Sequence, residues 1–387
     1  MHFLTHPSLA PLFDAGDLAA VSALRDHLSP ERLDAMQADP GALYAPESWG
    51  ALGRMGLFAF GRSETGAPNG RDLARAVAMI AEGLVHDVRG EIDMAIYVHA
   101  LVALQTMQFY NDRPSAQALL PDLRAGRIVF CTAYTDADPG TPLRATPVPG
   151  GFRLSGRKWL SVNMPHADIA MVTFDTGLDR LAATVRMDAA GLRRETLRQA
   201  AGNSAYSQGA AVFDEVFVPE ADVLSGGLRR LRVWNRVMSA SRLLNAISAL
   251  RSLDYLISLV MAQLADRHVA GAPFRAMPQY RRWVHSAKTF AVVLRGTIAA
   301  TLRDMADNRI DESGIAGLKA LSVNRAFAFA QEAQEMAGGA STLHDNEMSL
   351  VGASMSHHRF SSGGEAQLLA IYATSLSRKH SGRRAAA

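Results

Sequence analysis

Two adjacent histidines, His357 and His358, run into a polar stretch, Ser361-Ser362-Gly363-Gly364, that ends at an acid, Glu365. An imidazole titrates near neutrality and can take a proton from a substrate; the alternative for this pair is a solvated loop. Glu365 is a possible carboxylate base, and it equally suits the first turn of a last helix, where the helix dipole favours negative charge. Ser361 and Ser362 carry no useful basicity near neutral pH. Upstream, Thr132, Thr135 and Thr141 surround the loop Asp136-Ala137-Asp138-Pro139-Gly140. Hydroxyls beside a small residue let the backbone approach an anion; without a ligand they form a polar strand-to-loop corner. His166, Asp93, Tyr97 and His99 are further polar candidates, with Tyr97 also suited to packing. No His, Asp and Glu set has metal-ligand spacing, and no Walker or G-x-G-x-x-G loop is present. The chemistry within reach is therefore proton transfer and hydrogen bonding.

Three zones of different period must position these groups. Helical spacing of apolar residues marks 17–27, 46–55, 71–88, 91–110 and 115–125, and Ser29-Pro30-Glu31 starts another helix with Ser as N-cap. Short β-branched and aromatic runs follow at 128–134, 152–154, 169–174, 181–187 and 210–218, with a hairpin turn at Gly150-Gly151. Strands so spaced, with no helix between them, predict a small antiparallel sheet or barrel. Long helices return at 228–267, 279–307 and 312–337 and predict an antiparallel bundle. The expected class is α+β: an N-terminal all-α domain over 1–126, a middle β domain over 127–226 and a C-terminal four-helix bundle over 227–387. The basic tail from Ser377 is expected to fray.

Composition bounds the function. The chain has 387 residues, 48% of them hydrophobic, enough for a large core. Its formal net charge of +3 comes mostly from arginine, with lysine only at Lys158, Lys288, Lys319 and Lys379. No zinc, RNP or basic-region signature accompanies that charge, so no nucleic-acid partner is expected. Cys131 is the single cysteine, which suits a reducing cytoplasm and excludes an internal disulfide. Asp14 and Asp17 interrupt the N-terminal stretch, so no secretory signal is expected, and the absence of about 18 uninterrupted apolar residues argues against a membrane span.

The order of motifs resembles the acyl-CoA dehydrogenase superfamily. Pro46-Glu47-Ser48-Trp49 with Gly53 and Gly56-Leu57 is similar to its "PExW…L…GL", and Leu120-Pro121-Asp122-Leu123 with Gly126 to its "LPxLxxG". Ala133 to Thr141 is similar to "LTEPxAGS". Leu154-Ser155-Gly156-Arg157-Lys158, then Asn163 and Ala167-Asp168, is similar to "LxGxKxxITNxxxAD". Val212 to Pro219 resembles "xFxxVxVP", Arg267 with Gly271 resembles "RxxFG", and Gly338-Gly339 the C-terminal "GG". The resemblance implies FAD, an acyl thioester carried by coenzyme A or an acyl carrier protein, and a homodimer or homotetramer with flavin near a subunit boundary. It implies that Thr132 and Thr135 hydrogen-bond the flavin and that Thr141 contacts flavin phosphate and substrate. It further implies that Arg267 pairs with the pyrophosphate, beside Gly338 and Gly339.

This chain departs from the pattern where chemistry is done. The flavin-contacting Trp and Thr positions hold Leu160 and Val162, with Trp159 and Ser161 as flanking substitutes after a one-residue strand slip. Ala270 replaces the family's aromatic, Pro278 and Glu335 fall where it has Gln, with Gln279 and Gln334 adjacent, and its "RD" falls on Ala353-Ser354. The catalytic Glu position falls on Ser362, or on Ser361 after a slip. The minority Glu-Arg position falls on Ser241-Arg242, or on Asn235-Arg236 in a shifted alignment. The implied function is an acyl-CoA dehydrogenase-like flavoprotein with an atypical or missing base, Ser362 or Glu365 standing in for it and Thr141 and Arg242 contacting substrate. The segment around His166 also resembles flavin-dependent two-component monooxygenases and nitrososynthases, which need no α-proton base. A member that has lost dehydrogenation, with or without flavin, and serves another reaction or a binding role is the third expectation.

Overall fold

The computed structural model describes residues 6–39, 41–60, 66–90, 92–138, 140–197, 206–343 and 345–385. Glu91 and Pro139, which the sequence places at a helix start and in a loop motif, lie outside them, as does the end of the basic tail. The N-terminal helices are α1 (Ala15–His27), α2 (Pro30–Ala38), α3 (Pro46–Arg54), α4 (Gly70–Gly83), α5 (Asp93–Tyr97), α6 (Leu104–Phe109) and α7 (Pro114–Arg124). Reciprocal side-chain caps start α1 at Asp14 and α4 at Asn69. A π-helical stretch, Val98–Ala103, joins α5 to α6. Such an insertion rotates the following residues about the helix axis and is frequent at functional sites.

The strands are β1 (Phe130–Ala133), β2 (Arg144–Val148), β3 (Gly151–Val162), β4 (Ile169–Asp175), β5 (Arg180–Arg186), β6 (Leu192–Leu197), β7 (Gln208–Pro219) and β8 (Val223–Ser225). They form one sheet in the order β6-β7-β3-β2-β4-β5-β8, with β1 on β4. The sheet is mixed rather than antiparallel, because β1 and β2 both run parallel to β4. An alternating pattern sets which side chains share a face but not strand direction, so the expectation erred there. Residues 144–148, 192–197 and 223–225 also pair as strands although their composition gave no signal.

Helices α8 (Gly227–Gln263), α9 (Pro278–Ala306), α10 (Glu312–Ala337), α11 (Glu347–Phe360) and α12 (Glu365–Ala385) complete the chain after a short ribbon, β9 (His268–Val269) and β10 (Ala272–Pro273). The last helix continues to Ala385, where a frayed tail was expected. Helix α8 is long and apolar enough to cross a membrane, with mean hydropathy 1.4 over its best window, yet 78% of that window is buried by the rest of the chain. It is the core helix, packed on α10, α9 and α11.

Several sequence motifs act as struts between layers. Trp49 packs edge-on to His99, 5.1 Å between ring centroids. His99 Nε2 donates to the Leu123 carbonyl at 3.0 Å, and its Nδ1 accepts from the Phe130 amide at 3.2 Å, so α7 and β1 share one buried imidazole. Gly126 has φ +65 and lies against the Trp49 carbonyl, where a Cβ would sit 2.6 Å away. Glycine is thus required by both conformation and space. Asn163 donates to the carbonyls of Ala95 (3.0 Å) and Phe130 (3.2 Å) and accepts from Tyr44. These contacts seat α5 and β1 side by side.

Candidate active site

A cavity of about 600 Å³ opens between β1, β3, α5, α8 and the α11–α12 loop. The β-strand side contributes Thr132, Tyr134, Thr135, Leu160, Val162 and Gln208, and the helices contribute Tyr97, Trp234, Arg242, His357 and the loop Ser361 to Gly364. Its position follows from a second strut. Lys158 is fully buried and donates to Asp136 Oδ1 at 2.6 Å, while Arg180 reaches Asp136 Oδ2 at 2.6 Å. The two loop motifs of the sequence are therefore one ion-paired unit that fixes the chain after β1. Burial lowers the Lys158 pKa to about 8, opposed by the Asp136 partner.

A β-bulge decides what β3 presents. The β3–β7 register shifts between Lys158 and Ser161, and Leu160 takes φ +51. A bulge re-aims side chains, and here Leu160 and Val162 line the cavity. Trp159 instead lies under the Arg157 guanidinium at 4.5 Å, and Ser161 is buried with an unpartnered Oγ. The expected substitution of Trp159 and Ser161 into the cavity is not what the bulge produces. Thr132 and Thr135 do line it, with hydroxyls that have no partner among the described residues.

The structure brings the two alternative base positions together. Ser241 Oγ lies 2.6 Å from Ser362 Oγ, and Arg242 Nε donates to the Ser362 carbonyl at 3.1 Å. Asn235-Arg236 is not part of this contact. Ser362 takes φ +55, strained for a residue with a Cβ. Lys319 Nζ holds the loop there, donating to the carbonyls of Arg359 and Gly363, each at 2.8 Å. Burial, then the charges of Arg242 and Arg359, bring the Lys319 pKa down to about 7. Burial likewise lowers the Arg242 pKa. Tyr97 and Ser361 share a short hydroxyl contact at the rim.

Behind the serines runs a buried polar chain. Asn245 Nδ2 donates to the Ser241 carbonyl (2.9 Å) and toward Ser362 Oγ (3.5 Å), so its Oδ1 accepts from His358 Nδ1 at 3.0 Å. The other imidazole nitrogen faces Asp93 Oδ1 at 3.4 Å, and Asp93 pairs with Arg251 at 2.8 Å. The two histidines are thus helical, not a solvated loop: His358 is 3% exposed and braces Asn245. His357 lines the cavity, and burial pushes it down to about 4, a weak base at neutral pH. Sequence reasoning missed Asn245 and Lys319; a lysine inside an apolar helical stretch was the one available signal.

Other expected site residues lie elsewhere. Glu365 is exposed on the first turn of α12 and does not line the cavity. Thr141 donates to Asp138 Oδ2 at 3.0 Å and borders a separate shallow cleft. Arg267 donates to the Ala337 carbonyl at 2.9 Å, beside Gly338 and Gly339 at the end of α10, where Glu335 is exposed. His166 stacks on Tyr44 at 4.2 Å. No metal-holding cluster occurs among the described residues.

Comparison places this architecture. No protein-family model matches the sequence, and no curated protein matches it. Solved structures match over nearly the whole chain. Glutaryl-CoA dehydrogenase from Mycobacterium smegmatis with FADH2 superposes with a TM-score of 0.80 at 17% identity, covering 95% of this chain and 96% of that one. Acyl-CoA dehydrogenase from Geobacillus kaustophilus gives 0.82 at 16%, covering 94% and 98%. PigA with FAD and proline gives 0.81 at 18%, covering 97% and 99%.

Proposed function

We propose that this chain, which has the acyl-CoA dehydrogenase fold, is an FAD-dependent oxidoreductase acting on an acyl thioester without a carboxylate base. The single observation that carries the proposal is the cavity itself: Thr132 and Thr135, which resemblance assigns to the flavin, and Ser362, which it assigns to the base, line one space of about 600 Å³. That volume suits a cofactor ring or substrate head.

The residues present fit FAD in part. Thr132, Thr135 and Gln208 offer hydrogen bonds to a ring edge, whereas Val162 offers none. Arg267, Gly338 and Gly339 suit the phosphate end, reached from a second copy of the chain; Thr141 would assist once released from Asp138. FAD would supply hydride acceptance. The protein's own part is to orient the acyl group between Leu160 and the Ser361–Gly364 loop, exclude water and polarise the carbonyl through hydroxyls. A thioester α-proton needs a positioned base for removal, and Ser362 does not provide one.

The cavity walls favour a second reading, a flavin-dependent monooxygenase, because among the described residues no Asp or Glu lines them. Oxygen chemistry on flavin needs no α-proton base. The test is reconstitution with FAD, followed by oxygen consumption with and without an acyl thioester. Acceptor reduction without oxygen by a simple saturated acyl thioester would mean that a base is present after all, oxygen uptake supports the second reading, and failure to bind FAD removes both.

A further inference from the structure

Arg242 is 6% exposed and lines the cavity. Its Nε is used by the Ser362 carbonyl, while its Nη atoms have no partner among the described residues. No carboxylate pairs with it there; Glu312 acts on it only from a distance. Lys319, 1% exposed, and Arg359 add positive charge behind the same loop, with Glu365 the acid acting on Lys319. Buried charges are normally paired. This one faces a ligand-sized space instead.

The neighbouring groups are donors. Asn245, oriented by His358, directs an N–H toward Ser362 Oγ; with Ser241 donating to the same oxygen, the Ser362 hydroxyl is left to donate into the cavity. A guanidinium fork beside a hydroxyl donor matches the planar geometry of a carboxylate. Val98, Val102, Met238 and Phe360 give the same cavity an apolar lining.

We propose that the Arg242–Ser362 end of the cavity, with Ser241 buried behind Ser362, is a receptor for a carboxylate on the substrate, attached to an apolar body. The anion that resemblance would place on the protein arrives here with the ligand. The receptor follows from the cavity's charge alone, and it supplies a substrate class for the oxidoreductase proposed above.

The test is calorimetry on the full chain, with and without FAD, using octanoate and phenylacetate against octanamide and phenylacetamide. A charge-assisted hydrogen bond pair gives about ten- to a hundred-fold. The acids are expected to bind that much tighter than the amides, and Arg242→Gln to abolish the difference. Equal affinities, no binding of either acid, or a preference that survives in folded Arg242→Gln overturns the receptor. If Arg242→Gln does not fold, Ser362→Asp answers the question by supplying an internal counter-charge. It should erase the preference, and retention overturns the proposal. Flavin absorbance is followed in the same samples. Flavin binding without acid preference overturns the receptor alone, and acid preference without flavin overturns the oxidoreductase alone.

Discussion

At the residue scale, the proposed function turns on Ser362. Its hydroxyl contacts Ser241 at 2.6 Å, so both positions that resemblance assigns to a base are filled by one neutral pair. In FAD-loaded protein, wild type is expected to reduce an electron acceptor with butyryl- or octanoyl-CoA at background rate. Ser362→Glu should raise that rate toward the roughly 10²–10⁴-fold contributed by a general base. Turnover in wild type that collapses in Glu365→Gln would make Glu365 the base despite its exposed place. A second residue, His99, sets acid sensitivity. It is fully buried, and burial pushes its pKa down to about 4, whereas an unfolded histidine titrates near 6.5. The unfolded chain therefore binds more protons between those values. Stability is complete above about pH 6.5 and falls as pH drops toward 4, by roughly 1.4 kcal/mol per unit for this group. His357, shifted the same way, adds to the slope. His99→Gln keeps a donor near the Leu123 carbonyl but takes up no proton. Urea unfolding at several pH values should give a shallower acid slope for it, and an unchanged slope would remove His99 as the cause.

At the element scale, the Asp136–Lys158 pair ties β3 to the segment after β1. Asp136→Asn leaves Lys158 buried beside a neutral amide, and loss of one partner of such a pair costs about 3–5 kcal/mol. Thermal unfolding should show that loss, with faster hydrogen exchange around Thr135; a surface-like change under about 1 kcal/mol would show that the pair is not structural. The helices were legible because apolar spacing in α4, α8 and α9 repeats along many residues. Strands β2 and β6 were not, because their pattern is broken by exposed Arg144, Arg193 and Arg194 and only their neighbours define them. The bulge at Leu160 was equally invisible: no glycine marks it, and register against β7 exists only in the folded sheet. Ser241 and Ser362 were found by counting from motifs, but their contact, and Lys319 behind them, required two helices far apart in sequence to meet.

At the scale of the whole molecule, the phosphate-end candidates Arg267, Gly338 and Gly339 stand apart from the cavity holding Thr132 and Thr135. If both sets hold flavin as proposed, one chain carries the two halves of the site in different places, and assembly should couple to cofactor binding. Light scattering is expected to show a homodimer or a dimer of dimers at micromolar concentration, tightened by FAD through mass action; a monomer that still binds FAD would contradict the shared site. The most direct test of the central claim is the visible spectrum of the FAD-reconstituted protein before and after anaerobic butyryl-CoA. The expected result is equimolar bound flavin that stays oxidised in wild type and bleaches in Ser362→Glu. Absence of bound flavin, or bleaching of the wild type, would contradict it.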